Sequence, residues 1–201
     1  MILNTEQLRQ KAHELALTHD PYISGWPPRR LWRDFNQDVN SLRAFLQTLR
    51  DGSDGCSQPA EEWLLDNADF VEEQVLVVRQ QLHRSFLKHL PNLRRTGDKR
   101  ILAICTDYLQ HVDGNLDEDS LTAYLNSYQQ VSVFNIVEAW AIPLMIRVAL
   151  IRHLARVTQQ VRERREVGTF AEQLLARIEA SEINPDTLKT TLDQAGQEMP
   201  L

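Results

Sequence analysis

Seven apolar side chains, Leu31, Phe35, Val39, Leu42, Phe45, Leu46 and Leu49, recur at three- and four-residue steps between Arg29 and Arg50. That spacing matches the pitch of an α-helix, and it leaves one continuous oily stripe that only another element can hide from water. The same periodicity returns along most of the chain. The sequence therefore predicts an all-α fold, an irregular multi-helix bundle of about six to eight helices. Only 7 glycines occur among 201 residues, and Leu, Arg, Gln, Ala and Glu are abundant, a usage that suits helices better than strands and turns.

Ahead of that stripe, Thr5 to Leu17 carries Leu8, Ala12, Leu15 and Ala16 on one face, with Thr5 placed to cap the helix. Residues 20–28 hold three prolines and a glycine and read as a loop, whose last proline, Pro28, suits the first turn of the next helix. Residues 51–58 read as a linker. From Pro59 to about Phe86 the sequence predicts one helix with Leu64, Ala68, Val71, Val75, Val78 and Leu82 as its core stripe. Trp63, Phe70 and Val77 form a second stripe beside it, which predicts neighbours on two sides.

Pro91 and the polar run Arg94 to Asp98 end that segment. A helix is expected from Lys99 to Val112 with Ile101, Leu102, Cys105, Tyr108 and Leu109 inward, then a turn at Asp113-Gly114-Asn115. A short helix carrying Leu121, Tyr124, Leu125 and Tyr128 follows. The longest helix is expected from Phe134 to about Glu166, opened by Asn135 and Glu138 at capping-box spacing. Pro143 lies inside it and predicts a kink or a break, at a cost of about 3 kcal/mol. A last pair, Phe170 to Ala180 and Pro185 to Gln194, closes the chain, and Pro200-Leu201 reads like a cut. As domains, residues 1–28 read as an N-terminal helix with a proline-rich loop, and 29–201 as a helical bundle forming one unit with it.

The formal net charge of -6 argues against nucleic acid as a partner. Two arginine clusters, Arg29, Arg30 and Arg33, and Arg162, Arg164 and Arg165, read as solvated faces paired with carboxylates. Cys105 sits in an apolar run, Cys56 in a loop, and a disulfide between them is not expected. The apolar run Ala139 to Ile146 is interrupted by Arg147 and ended by Arg152 and His153, short of the about 20 residues that a membrane span needs. With no export signal at the N-terminus, a cytoplasmic address is expected.

Candidate chemistry is thin. Asp113, Asn115, Asp117 and Asp119 alternate like the start of a calcium loop, but Glu118 stands where the glycine belongs and Tyr124 where the bidentate carboxylate belongs. Asp117-Glu118-Asp119 spells the metal-holding pair of nucleotide-sugar transferases without the sheet edge that pair needs. His13 and His19, like His83 and His89, are six apart and share no helical face. No phosphate loop, nucleophile elbow or cysteine–histidine pairing is present, and no cofactor is expected. Glu62, Asp66, Asp69 and Glu73 line one helical face; they read either as an acid–base or glycan-handling pair, or as a solvated face or one bound to Arg79, Arg147 or Arg152.

Four stretches, in order, carry a family resemblance. They are Pro59-Ala60-Glu61-Glu62-Trp63-Leu64-Leu65-Asp66-Asn67 with Val71-Glu72-Glu73-Gln74-Val75; Leu90-Pro91-Asn92-Leu93; His111-Val112-Asp113-Gly114-Asn115-Leu116-Asp117; and Val137-Glu138-Ala139-Trp140-Ala141-Ile142-Pro143-Leu144-Met145-Ile146-Arg147 running on to Ile151. Together they resemble a region near the front of cyclic β-1,2-glucan synthases, with departures in the first thirty residues and in the Leu93 to Lys99 loop. The resemblance implies a cytoplasmic N-terminal part of a large inner-membrane protein that builds β-1,2-glucan from UDP-glucose. Its transferase and phosphorylase-like portions and its membrane helices would lie downstream, and no catalytic residue carries over. The expected role is a non-catalytic accessory domain whose partners are the downstream domains of the same polypeptide. Trp63, Asp66, Asn67, Glu72, Glu73, Trp140, Pro143 and Arg147 are its candidate motif and interface residues. A free-standing interaction module with an exposed aromatic patch, or a glycan-handling domain, are the other readings.

Overall fold

A computed structural model describes residues 2–24, 29–52, 58–82 and 84–180. They form, in order, α1 (Thr5–Thr18), β1 (Pro21–Tyr22), α2 (Arg29–Asp51), α3 (Pro59–Asp66), α4 (Ala68–Gln81), α5 (Arg84–Leu87), β2 (Asn92–Leu93), α6 (Arg100–His111), α7 (Glu118–Gln129) and α8 (Ile136–Ala180). The fold is all-α, apart from one two-residue ladder. The chain divides into two units, Met1–Arg156 and Val157–Leu201, with the division falling inside α8.

The first unit holds the core described below. All seven predicted residues of the α2 stripe are buried, as are the core stripe from Leu64 to Leu82 and the five inward residues of α6. α1 packs chiefly against α7, its buried face being only Leu8, Ala12 and Ala16, small enough for close approach. Ser127 Oγ donates to the Arg9 carbonyl across that contact at 2.7 Å. The cap of α1 is Asn4 rather than Thr5: Asn4 Oδ1 accepts the Gln7 N–H at 2.9 Å and Gln7 Oε1 accepts the Asn4 N–H at 3.0 Å. Asn4 has the extended backbone that this reciprocal box requires.

The segment expected as one helix from Pro59 to Phe86 is three helices. Asn67 interrupts it at φ −103°, ψ 10°, and its Nδ2 donates to the Trp63 carbonyl at 2.8 Å; asparagine competes with the helix backbone in this way. The core stripe keeps its register across the break, but in the second stripe only Val77 is half-buried. Trp63 is 53% exposed and Phe70 59%, so the first two residues of that stripe face solvent.

Part of the predicted loop pairs. β1 and β2 are antiparallel, with Pro21 opposite Leu93 and Tyr22 opposite Asn92. Arg94 reinforces the ladder through Asp20 at 2.8 Å and over the Tyr22 ring at 5.1 Å. Two residues per strand are too few to show a period of two in the sequence. The expected role of Pro28, the tip of the 51–58 linker, Cys56, His83 and the helix Pro185 to Gln194 lie outside the described residues.

α8 joins what the sequence divides into two helices, running through Pro143 and Gly168 to Ala180. No break occurs at Pro143. Ala139 and Pro143 both lie on the exposed side, where solvent can take up the Ala139 carbonyl that the proline ring leaves without a donor. The expected capping box is present, with Glu138 N–H donating to Asn135 Oδ1 at 2.9 Å and Asn135 N–H donating to Glu138 Oε2 at 3.0 Å. At α7, Asp117 takes the capping role through the Ser120 N–H at 2.8 Å.

The turn between α6 and α7 needs left-handed backbone, at φ 52° for Asp113 and 76° for Gly114. A Cβ on Gly114 would stand 2.9 Å from His153 Nε2, whereas one on Gly97, at φ 74°, would meet nothing nearer than 3.8 Å. Gly97→Ala is accordingly expected to cost about 1 kcal/mol and Gly114→Ala about 2 kcal/mol or more. Thermal melts of the two variants should show the larger drop for Gly114→Ala.

In the second unit, the described end of α8 is a polar helix laced by local pairs, Gln159 to Glu163 at 2.8 Å and Arg162 to Glu166 at 3.5 Å. In the first unit, Arg30 and Arg33 both reach Asp34. Both arginine clusters thus meet carboxylates.

Candidate functional site

The sequence-predicted residues fall on two faces. On α3 and α4, Trp63, Asp66, Phe70 and Glu73 are exposed, an aromatic followed three residues on by a carboxylate, twice. Asn67 is half-buried and serves the helix break. Glu72 is tied to α2, accepting from Arg43 Nε at 2.7 Å and Nη2 at 2.6 Å; that forked hydrogen bonding holds the Glu72 carboxyl below, and the Arg43 guanidinium above, their usual ranges. It is a structural link. The arginines expected against the acidic face are elsewhere: Arg79 donates to Asn36 at 3.2 Å and Arg152 pairs with Asp38 at 3.3 Å. Glu62, Asp66, Asp69 and Glu73 form no ion pair among the described residues, and all four are exposed. The reading of a face bound to Arg79 or Arg152 is therefore not met.

The second face belongs to α8. Ile136, Trp140, Pro143 and Arg147 recur at steps of four, three and four, which places them on one stripe. Trp140 is 74% exposed, Ile136 64%, Pro143 is exposed and Arg147 half-buried, and the exposed Val131 and Val133 lie in the approach to the helix. Trp63 and Trp140 are therefore both surface residues, and neither belongs to the core.

Beneath that stripe lies the best-defined polar feature of the molecule. Arg100, buried on α6, donates from Nε to Glu138 Oε1 at 2.7 Å and from Nη2 to Glu138 Oε2. Its Nη1 reaches Ser132 Oγ at 2.7 Å and Nη2 reaches the Val133 carbonyl at 3.2 Å. The guanidinium also lies 5.5 Å from the Phe134 ring centre, which stacks on Tyr128 at 5.4 Å. One cation thus fixes both the loop that displays Val133 and the first turn of α8. Sequence reasoning found Glu138 as a cap but passed over Arg100. The available signal was a charge beginning the inward face of an apolar helix, which requires a buried partner.

Other titratable groups are set by burial. It pushes Cys105 up to about 12 and Lys99 down to about 8, the latter with Nζ donating to the Leu90 carbonyl at 2.8 Å. Tyr124 is raised by burial and by Asp107, to which its hydroxyl donates at 2.6 Å. His19, whose Nδ1 meets the Tyr128 hydroxyl at 2.8 Å, is lowered by burial and then by Arg100, with Asp107 opposing. His153 is lowered by burial and Arg156, with Asp113 opposing. A histidine with a depressed folded pKa contributes stability that is complete above the free value of about 6.5 and is lost as pH falls through that window. Urea midpoints should therefore fall as pH drops below about 6.5, and His19→Gln should flatten part of that fall. Asp38, raised by burial, acts in the opposite sense but only in the carboxylate range.

Among the described residues, no group of three or more His, Cys, Asp or Glu is placed to hold a metal ion, and no helix is long and apolar enough to cross a membrane. The two faces and the buried clasp define an all-α domain with outward-facing aromatics. No family model matches the chain. It is similar to the cyclic beta-(1,2)-glucan synthase NdvB of Rhizobium meliloti (strain 1021), with 35% identity over 141 residues, 67% of this chain. The match covers 5% of that much longer relative. The chain is thereby related to the cyclic β-1,2-glucan synthases over that stretch.

Proposed function

We propose that this chain is a non-catalytic helical domain of a cyclic β-1,2-glucan synthase, on the cytoplasmic side of the inner membrane, that docks on the glucosyltransferase portion through the outer stripe of α8. The observation that carries the reading is Trp140, 74% exposed on a helix whose first turn is locked by Arg100. A large aromatic exposed to water is the kind of anchor that protein interfaces bury. The similarity to the Rhizobium meliloti synthase is what motivates a glucosyltransferase portion as the occupant of that face.

The test uses that synthase with its matching stretch deleted, supplied with UDP-glucose. Adding the chain is expected to restore glucan formation, and Trp140→Ala is expected to restore much less. Glucose transfer by the purified chain alone would refute the reading.

A second reading is favoured by the α3–α4 face, where Trp63 and Phe70 stand exposed beside Asp66 and Glu73, which form no ion pair among the described residues. Exposed rings stack on sugar faces while carboxylates accept from hydroxyls, so this face suits a glycan. Calorimetry with β-1,2-glucans, on the parent chain and on Glu62→Gln and Trp63→Ala, checks it; no heat would remove it.

A further inference from the structure

Trp63 and Phe70 stand exposed on the outer side of α3 and α4, seven residues and so about 10 Å apart, with Leu76 exposed further along the same side. Between and beside them run Glu62, Asp66, Asp69 and Glu73, at steps of four, three and four. That spacing gathers the carboxylates on one ridge, opposite the buried stripe of Leu64, Ala68, Val71 and Val75. Like charges at these steps repel one another. Glu72 is taken by Arg43 and Arg79 turns to Asn36, and no ridge carboxylate forms an ion pair among the described residues.

Helix electrostatics account for only half of the ridge. Glu62 and Asp69 stand in the first turns of α3 and α4, where the free N–H groups favour a negative charge. Asp66 is the last residue of α3, the end at which the helix dipole opposes a carboxylate. Glu73 lies in the interior of α4, one turn from Asp69. These two repel their neighbours and gain nothing from their own helices. They also alternate with the rings, in the order Trp63, Asp66, Phe70 and Glu73 at steps of three, four and three.

We propose that this face docks a basic amphipathic helix of a partner protein, lying along α3 and α4 with apolar side chains on Trp63 and Phe70 and with lysine or arginine side chains on Asp66 and Glu73. Apolar anchors recurring every seven residues are what one helix offers another that packs along it, and charge complementarity selects a basic partner. From Glu62 to Leu76 the face runs about 21 Å, room for about four turns of that helix. A neutral or acidic helix would leave the ridge repulsion in place. A second copy of the chain is disfavoured by its own net charge of -6. A glycan, the other occupant considered for this face, would cover the rings and leave the charges unanswered. The inference does not rest on the α8 docking reading, which concerns a different surface.

The test is calorimetry on the whole chain with a helical peptide of about 18 leucines and lysines, the leucines on one face, and with its counterpart carrying glutamate for lysine. The Trp63 indole N–H resonance reports the place of binding. The lysine peptide is expected to bind saturably, to shift that resonance and to weaken as salt rises, and the glutamate peptide is not expected to bind. Trp63→Ala should weaken the lysine peptide about tenfold or more, with Phe70→Ala as a second reading of the same side. Asp66→Asn combined with Glu73→Gln should weaken it about fivefold, the worth of two exposed pairs, while holding or raising the melting temperature, because it relieves repulsion on the ridge. A merely structural role for the two carboxylates would lower the melting temperature instead. No saturable heat with the lysine peptide, equal binding of the glutamate peptide, undiminished binding by the variants, or saturation of the face by β-1,2-glucan and not by the peptide would overturn the inference. So would a dimer of the chain alone that Trp63→Ala dissolves.

Discussion

Arg100→Ala is expected to destabilise the first unit by about 3–5 kcal/mol, because it strands a buried carboxylate. Glu138 is fully buried, and among the described residues its carboxylate meets, besides the guanidinium, only the Asn135 N–H of its own capping box. The variant also leaves Ser132 Oγ and the Val133 carbonyl without their donor. Natural domains hold only about 5–15 kcal/mol in total, so the variant should sit close to unfolding in urea. The double replacement Arg100→Met with Glu138→Leu removes both charges together and should recover most of the loss, since an apolar pair of similar volume often matches a buried ion pair. A single-variant loss below about 1 kcal/mol would mean that water reaches the pair and that the clasp is not a buried one.

Phe35→Ala is expected to cost about 3–5 kcal/mol by opening a cavity, while Trp140→Ala should stay within about 0.5 kcal/mol. Both residues are large aromatics on helical stripes, and only their surroundings differ. Phe35 is wholly buried and meets Trp32 edge-on at 6.4 Å, whereas most of Trp140 is in water. Denaturant midpoints of the two variants measured side by side decide this. Equal losses would place Trp140 in a core and remove the docking face.

That contrast also marks how far the sequence can be read. The period of the apolar residues found the buried stripes of α2, α4 and α6 almost residue by residue, since a helix can hide only one face at a time. It also exposed the capping pair at Asn135 and Glu138, because a box is local. It did not tell that Trp63 and Phe70 face solvent, because periodicity reports that a stripe exists and not whether anything covers it. The break at Asn67 escaped for another reason: one side-chain amide reaching the Trp63 carbonyl changes no hydrophobic pattern. Arg100 and Glu138 are 38 residues apart, and no local signal joins them. Asn67, read as part of one long helix, is instead the break between α3 and α4, and the clasp that holds the first turn of α8 became visible only in three dimensions.

The most direct measurement is the solvent accessibility of Trp140 with and without the synthase. Of the 4 tryptophans in the chain, the other three are replaced by phenylalanine, so that acrylamide quenching reports on Trp140 alone. Docking predicts a readily quenched, red-shifted emission for the free chain, and a blue shift with saturable protection once the truncated Rhizobium meliloti synthase is added. Emission that stays as red and as quenchable at saturating synthase as in its absence would contradict the account.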